Sequence, residues 1–158
     1  MTITVEDGTV VPGANSYVSV EEFAAYAAAR NINLPVDDEA KEALLIKAMD
    51  YIEMYDLRYR GVRYDTEQAL SWPRVYSYVS TGIPAALKKL QMVLAVVSMN
   101  TDLLPVVTGS SQAITRKTVG PITLEYANES SSYPSIPEAQ MLMSSLFGNS
   151  GQLRVIRG

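Results

Sequence analysis

A short stretch near the middle of the chain combines cationic and aromatic side chains. Aromatic rings can stack on unpaired bases, with about 1 to 3 kcal/mol per base, while guanidinium groups hold the phosphates. This combination is typical of single-stranded nucleic-acid binding. The candidate nucleic-acid residues are Arg58, Tyr59, Arg60 and Arg63, and the wider cluster also holds Tyr51, Tyr55, Tyr64, Trp72 and Arg74.

The same stretch has a structural interpretation. Tyr51 and Tyr55 have the spacing of one helical face, which would bury them, and the arginines have acidic neighbours with which to pair. The net charge of −4 favours this interpretation, because dedicated nucleic-acid binders usually carry a positive excess. The acidic neighbours are Asp50, Glu53, Asp56 and Asp65.

A second group of candidate residues is acidic. Paired carboxylates serve in glycosidic chemistry and carboxylate oxygens bind cations, but metal loops place their ligands on a tight turn that contains glycine. Here the carboxylates follow one predicted helix, where they complement its dipole and form its solvated face. We therefore assign them no metal and no catalytic role. They are Asp37, Asp38, Glu39, Glu42, Asp50 and Glu53.

The composition argues against an enzyme. Cysteine and histidine are absent, which removes thiolate chemistry and the commonest general base and metal ligand. We find no Gly-rich phosphate loop, nucleophile elbow or metal motif, so we predict no catalytic residues, no metal and no cofactor. The N-terminus does not resemble a secretory signal, and the densest apolar run, 92–97, is far shorter than the roughly 20 residues that span a bilayer. We expect a soluble protein without membrane contact.

Four helices are predicted to position these residues. Ser19 and Glu22 have the spacing of a capping box, as do Ser135 and Glu138 before the last helix. The third helix is apolar on nearly every side and must be covered on every side. The predicted helices cover residues 20–30, about 37–61, 84–103 and 137–147.

The remaining segments complete the predicted fold. Two β-rich runs around Gly120 and Pro121 predict a β-hairpin at about 113–127. We predict a mainly α fold in a single domain, 1–158: a four-helix bundle with a β-hairpin and extended N- and C-terminal arms. The N-terminal arm is 1–18, the helical body is 19–148, and the C-terminal tail is 149–158.

The C-terminal tail alternates apolar residues with arginine. Apolar residues in an isolated terminus gain nothing by folding alone, so we expect them to be buried either in another subunit or partner, or on the chain's own bundle. The tail residues concerned are Leu153, Arg154, Val155, Ile156 and Arg157.

Five blocks, in this order along the chain, resemble the head-tail connector proteins of tailed bacteriophages. The same group of sequences also carries the description of a DnaT-like single-stranded-DNA-binding protein, so binding of single-stranded DNA as a replication accessory protein remains the alternative function. The blocks are Ala14–Glu22, Lys41–Ile52, Gln68–Arg74, Ile83–Lys89 and Lys117–Tyr126.

The resemblance implies a structural adaptor, or head-completion protein, of a phage virion. Such proteins form a ring, here expected to hold twelve copies, under the portal. The ring extends the DNA channel and receives the tail. The implied partners are the portal protein, a tail or tail-completion protein, further copies of the chain, and DNA that passes without sequence-specific binding. The implied location is the head-tail interface of the virion, after synthesis in the host cytoplasm.

The resemblance also implies roles for two segments. The C-terminal tail would dock on the portal through Leu153 to Arg157, and the hairpin would provide one face of the contact between subunits in the ring. The hairpin candidates for this contact are Thr118, Val119, Pro121, Ile122 and Leu124.

Overall fold

The computed structural model describes residues 2–76, 82–104, 114–118, 123–126 and 135–148. This part of the chain is mainly helical, as predicted. Its helices are α1 (Val20–Ala28), α2 (Asp38–Glu53), α3 (Ala85–Val97) and α4 (Pro137–Leu146), with a 3₁₀ turn at Asp56–Arg58. Two antiparallel pairs of strands accompany them: β1 (Val62–Arg63) with β2 (Arg74–Val75), and β3 (Ile114–Thr118) with β4 (Thr123–Tyr126). The second pair confirms the predicted hairpin.

The two predicted capping boxes have different outcomes. At α1 the Ser19 hydroxyl accepts from the Glu22 backbone N–H at 3.2 Å, and the Glu22 carboxylate accepts from the Ser19 N–H at 3.1 Å, which confirms the first box. At α4 the predicted box is wrong, because Ile136 is the N-cap residue and makes no side-chain cap. Glu138 pairs instead with Lys89 of α3, at 2.9 Å. Glu138 thus makes an ion pair between α4 and α3 instead of the predicted capping hydrogen bond within α4.

Helix α2 ends at Glu53, well before the predicted end near residue 61. The Tyr59 hydroxyl folds back and donates to the carbonyl of Ile52 at 2.9 Å, so it satisfies a carbonyl that a longer helix would have used. Helix α3 ends at Val97 rather than at residue 103. There the Ser98 hydroxyl donates to the carbonyl of Ala95 at 2.8 Å, a local bond that competes with helix continuation.

The centre of the described core is α3. Leu87, Leu90 and Leu94 are fully buried, and the helix packs against both α2 and α4. Helices of the same chain therefore cover the apolar surface of α3, as the prediction requires. In the described ranges no helix is both long enough and apolar enough to cross a bilayer.

The segment before α1 is docked on the helical body rather than projecting from it. It is largely irregular, with one isolated bridge between Val5 and Ser16. Tyr17 and Val18 are buried in the core, at 0 % and 1 % exposure. The last residues of the predicted N-terminal arm, 1–18, thus supply side chains to the core.

A buried amide holds this segment in place. Gln91 of α3 is 0 % exposed, its Nε2 donates to the Ser16 hydroxyl at 2.8 Å and to the Leu45 carbonyl at 3.3 Å, and its Oε1 accepts from the Tyr17 backbone N–H at 2.9 Å. One side chain therefore ties together the N-terminal segment, α2 and α3.

Replacing Gln91 with leucine is expected to lower the free energy of unfolding by about 1 to 3 kcal/mol. The buried Tyr17 N–H loses its acceptor, and an unsatisfied buried donor costs about this much. Urea unfolding followed by the fluorescence of Trp72, the chain's single tryptophan, measures the change. The matched control is Gln140→Leu, at an exposed position of α4, which should change stability by less than about 0.5 kcal/mol. Equal stability of the two variants would contradict the assigned role.

Candidate nucleic-acid interface

The predicted cationic and aromatic stretch forms a small two-stranded structure after α2. Val62 of β1 pairs with Val75 of β2, and Arg63 pairs with Arg74. One residue further on, the Tyr64 backbone N–H donates to the carbonyl of Pro73 at 3.1 Å. We call residues 58–64 together with 72–76 the ribbon. Its strands are two residues long, too short to show the alternation that predicts a strand, so sequence analysis did not predict them.

Two tyrosine rings of the ribbon are exposed to solvent. Tyr64 is 67 % exposed and Tyr76 is 90 % exposed. The strand register places Tyr64 opposite Pro73 and Tyr76 one residue beyond the other end of the pairing, so the two lie about 10 Å apart along the strands. Tyr76 has a positive φ of 56°, a conformation that is uncommon for a residue with a side chain. The ribbon therefore offers one aromatic ring near each end.

Arg58 lies at the surface beside an aromatic group. Its guanidinium stands 4.5 Å from the centre of the Phe147 ring and 5.8 Å from that of Tyr55. The residue is exposed, so this contact orients a positive charge without burying it.

Arg60 joins the ribbon to the end of α4. Its Nε donates to the carbonyl of Phe147 at 2.6 Å, and its backbone N–H donates to the carbonyl of Leu146 at 3.1 Å. The Gly148 N–H in turn donates to the carbonyl of Arg58 at 2.9 Å. The residues that follow α4 thus brace this side of the ribbon.

Asp56 sits between the other two arginines. Its carboxylate contacts Arg74 Nη1 at 2.8 Å and Arg63 Nη2 at 3.3 Å. Burial raises the pKa of Asp56, but hydrogen bonds from Arg63, Ser71 and Arg74 outweigh burial and hold the pKa below its usual 3.8. The carboxylate therefore stays ionised at neutral pH and partly neutralises the ribbon.

Arg74 is charged but buried in the fold. It is 7 % exposed, and besides Asp56 it donates to the carbonyls of Arg60 at 3.0 Å, Gly61 at 2.9 Å and Ser71 at 3.2 Å. This set of acceptors leaves no room for a phosphate. The structural interpretation of the arginines thus holds for Arg74, with Asp56 as its acidic partner.

Tyr59 does not offer its ring to a ligand in this structure. It is 4 % exposed, and its ring meets that of Trp72 edge-on at 6.2 Å between centroids. Burial raises the pKa of Tyr59, so its hydroxyl stays protonated and can donate to Ile52. Tyr51 and Trp72 are buried as well, at 9 % and 0 % exposure.

The structure thus divides the predicted cluster. Arg58 and Tyr64 are exposed, and Arg60, Arg63 and Tyr55 are half-buried, while the rest of the cluster is buried: Tyr51, Tyr59, Trp72 and Arg74. Sequence reasoning missed Tyr76, although the Tyr-rich run 75–78 contained a signal for it.

The prediction that the acidic residues form a solvated helix face is wrong for Glu53. Its carboxylate accepts from the Ser71 backbone N–H at 2.9 Å, from the Ser71 hydroxyl at 2.7 Å and from the Tyr17 hydroxyl at 3.2 Å. It therefore fixes the Ser71-Trp72 segment against the end of α2, a contact between residues 18 positions apart that helical periodicity does not reveal. In the parts of the chain that are described, no cluster of three or more acidic, His or Cys residues could hold a metal.

The other predicted site residues are described only in part. Thr118 and Leu124 lie in the hairpin strands, where Thr118 pairs with Thr123 and Leu124 with Lys117. The remaining interface candidates and the predicted tail contacts lie outside the described residues. They are Val119, Pro121, Ile122, Leu153, Arg154, Val155, Ile156 and Arg157.

Comparison with known proteins corrects the predicted identity. No curated protein and no solved structure matches the chain. One family model matches residues 1–158, and its description is "Putative DnaT-like ssDNA binding protein". The identification as a phage head-tail connector, with a ring of twelve copies and portal and tail partners, is therefore wrong.

The error has a physical origin. The blocks behind the connector resemblance are dominated by packing residues: Tyr17, Leu45 and Trp72 are each 0 % exposed. Such residues report how a core is filled rather than which partner the surface meets. The chain belongs to the family described as "Putative DnaT-like ssDNA binding protein".

Proposed function

We propose that this protein binds single-stranded DNA, without sequence preference, as a replication accessory protein, and that the ribbon is its binding surface. The observation that supports this proposal most is the pair of exposed rings, Tyr64 and Tyr76, with the exposed cation Arg58 on the same small element. The family description points to the same ligand.

The chemistry of the ribbon suits single strands better than duplexes. Unpaired bases expose their faces, and a tyrosine ring can stack on any of the four because every base has a π-face. The bases of a duplex are already stacked on one another. Stacking therefore favours a single strand without reading its sequence.

The acidic net charge does not oppose this proposal. The ribbon contains four arginines and no acidic residue, so it is locally positive on a chain of net charge −4, although Asp56 and Asp65 lie beside it. Since aromatic stacking supplies much of the affinity in such sites, a few cations are sufficient to track the phosphates.

We further propose that the protein is not an enzyme and acts without metal or cofactor in the cytoplasm where it is made. Glu53 and Asp56, two carboxylates beside the ribbon, are both engaged with partners of the fold. We also propose that the four helices form a single bundle that presents the ribbon.

The test is a titration of a fluorescently labelled oligothymidine at about 0.15 M salt, read by anisotropy. Tyr64→Ala and Tyr76→Ala are each expected to weaken binding by about 5- to 150-fold, the loss of one stacked base. The slope of log affinity against log salt should not change, because neither substitution removes a charge. Tyr64→Phe, which keeps the ring, should bind like the unmodified protein.

The matched control is Tyr26→Ala on α1. Tyr26 also lies beside an arginine, with the Arg30 guanidinium 3.7 Å from its ring centre, but it lies outside the ribbon. This substitution should leave DNA affinity unchanged. Absence of binding by the unmodified protein at low salt, or equal affinity for single and double strands of the same length, would show that the proposed function is wrong.

A further inference from the structure

The two arginines that contact Asp56 differ in how firmly the fold holds them. The side chain of Arg74 is 6 % exposed and is fixed by three carbonyls as well as by Asp56. The side chain of Arg63 is 33 % exposed; besides Asp56 it donates to the carbonyl of Gln68, at 3.4 Å. Of the two, only Arg63 is placed to reach a ligand on the surface of the ribbon.

Asp56 occupies the position that a phosphate would take on Arg63. Both Nε and Nη2 of Arg63 lie 3.3 Å from the carboxylate oxygens, one nitrogen to each oxygen. This side-by-side geometry is the one with which a guanidinium also binds a phosphate group. The Asp56 side chain is 25 % exposed, so the pair lies at the boundary with solvent.

We propose that Asp56 is an internal competitor for phosphate, which withholds Arg63 from DNA and so limits the affinity of the ribbon. This inference rests on the proposed function and names the residue that tunes it. An acidic residue that holds one cation back keeps binding weak and reversible, which suits a protein that must later release its strand.

The experiment compares Asp56→Asn with the unmodified full-length protein in the oligothymidine titration at several salt concentrations. Asparagine keeps an oxygen that can accept the hydrogen bond from Arg74, but it has no negative charge to form an ion pair with Arg63. We expect affinity to rise by about two- to fivefold at 0.15 M salt, and the slope of log affinity against log salt to steepen by about 0.7, the value of one added phosphate contact on a single strand.

Two variants separate release of Arg63 from a general change in charge. Asp65→Asn removes the same charge from an exposed residue directly after the first strand segment of the ribbon, where Asp65 caps the Glu67 N–H at 2.8 Å. It should leave the slope unchanged. In the double variant Asp56→Asn with Arg63→Gln the gain should disappear. If Asp56→Asn does not fold, as judged by circular dichroism, Arg63→Gln alone serves in its place: its slope should equal that of the unmodified protein, and a slope shallower by about 0.7 would overturn the inference.

Each outcome decides the question. A slope steeper than that of the unmodified protein, and lost again without Arg63, supports the inference. Binding by Asp56→Asn that equals that of the unmodified protein or of Asp65→Asn would overturn the inference and leave the proposed function intact. Absence of binding by all variants would overturn both.

Discussion

Replacing Trp72 with alanine is expected to lower the free energy of unfolding by about 3 to 5 kcal/mol, the range found for removing a large aromatic side chain from a core. Trp72 is 0 % exposed and packs edge-on against Tyr59, and its backbone N–H donates to the Tyr17 hydroxyl at 3.1 Å. Residue 72 thus joins the ribbon to the N-terminal segment through its backbone, while its indole packs beside Tyr59. Its loss leaves a cavity at the point where these segments meet.

Urea unfolding followed by far-UV circular dichroism measures this change without the tryptophan signal. Trp72→Phe should cost much less than the alanine variant, because within the described residues the indole Nε1 has no hydrogen-bond partner to lose. The control is Tyr76→Ala, at the exposed end of the same ribbon, which should stay within about 0.5 kcal/mol of the unmodified protein. A Trp72→Ala variant as stable as this control would show that Trp72 is not part of the core.

Features set by neighbouring residues could be predicted from the sequence. The start of α1 follows from Ser19 and Glu22, three positions apart, and α3 follows from a run of apolar residues. The end of α2 could not be predicted, because it depends on a hydrogen bond from Tyr59 to Ile52 and on the contact of Glu53 with Ser71. These bonds form only after the chain has folded back.

The candidate site shows the same division. Residue types alone indicated a cluster of arginine and tyrosine, and Tyr64 is indeed at the surface. Which rings face solvent was beyond prediction, since Tyr59 and Tyr64 are both tyrosines near arginines yet differ from 4 % to 67 % in exposure. Their orientation follows from the register of β1 with β2 and from the position of Trp72, and neither leaves a periodic signal in so short a segment.

The second large effect is expected at Arg74, where alanine should lower the free energy of unfolding by at least about 3 kcal/mol, because three carbonyls lose their donor and each unsatisfied buried group costs about 1 to 3 kcal/mol. Asp56 would keep Arg63, so the loss falls mainly on the three carbonyls that Arg74 now satisfies. Arg74→Lys should recover little of it, because an ammonium group cannot reach the same set of acceptors as the planar guanidinium.

The matched control for Arg74 is Arg63→Ala, which removes the other arginine from the same carboxylate. Its side chain is 33 % exposed, so the cost should be below about 1 kcal/mol. Both variants are measured by urea unfolding with Trp72 fluorescence, and equal losses would contradict the division into a structural and a surface arginine.

This division also bears on DNA binding. A weaker DNA affinity of Arg74→Ala would result from damage to the ribbon and not from the loss of a phosphate contact. Arg58 and, after release from Asp56, Arg63 are the cations whose removal should change the salt dependence itself.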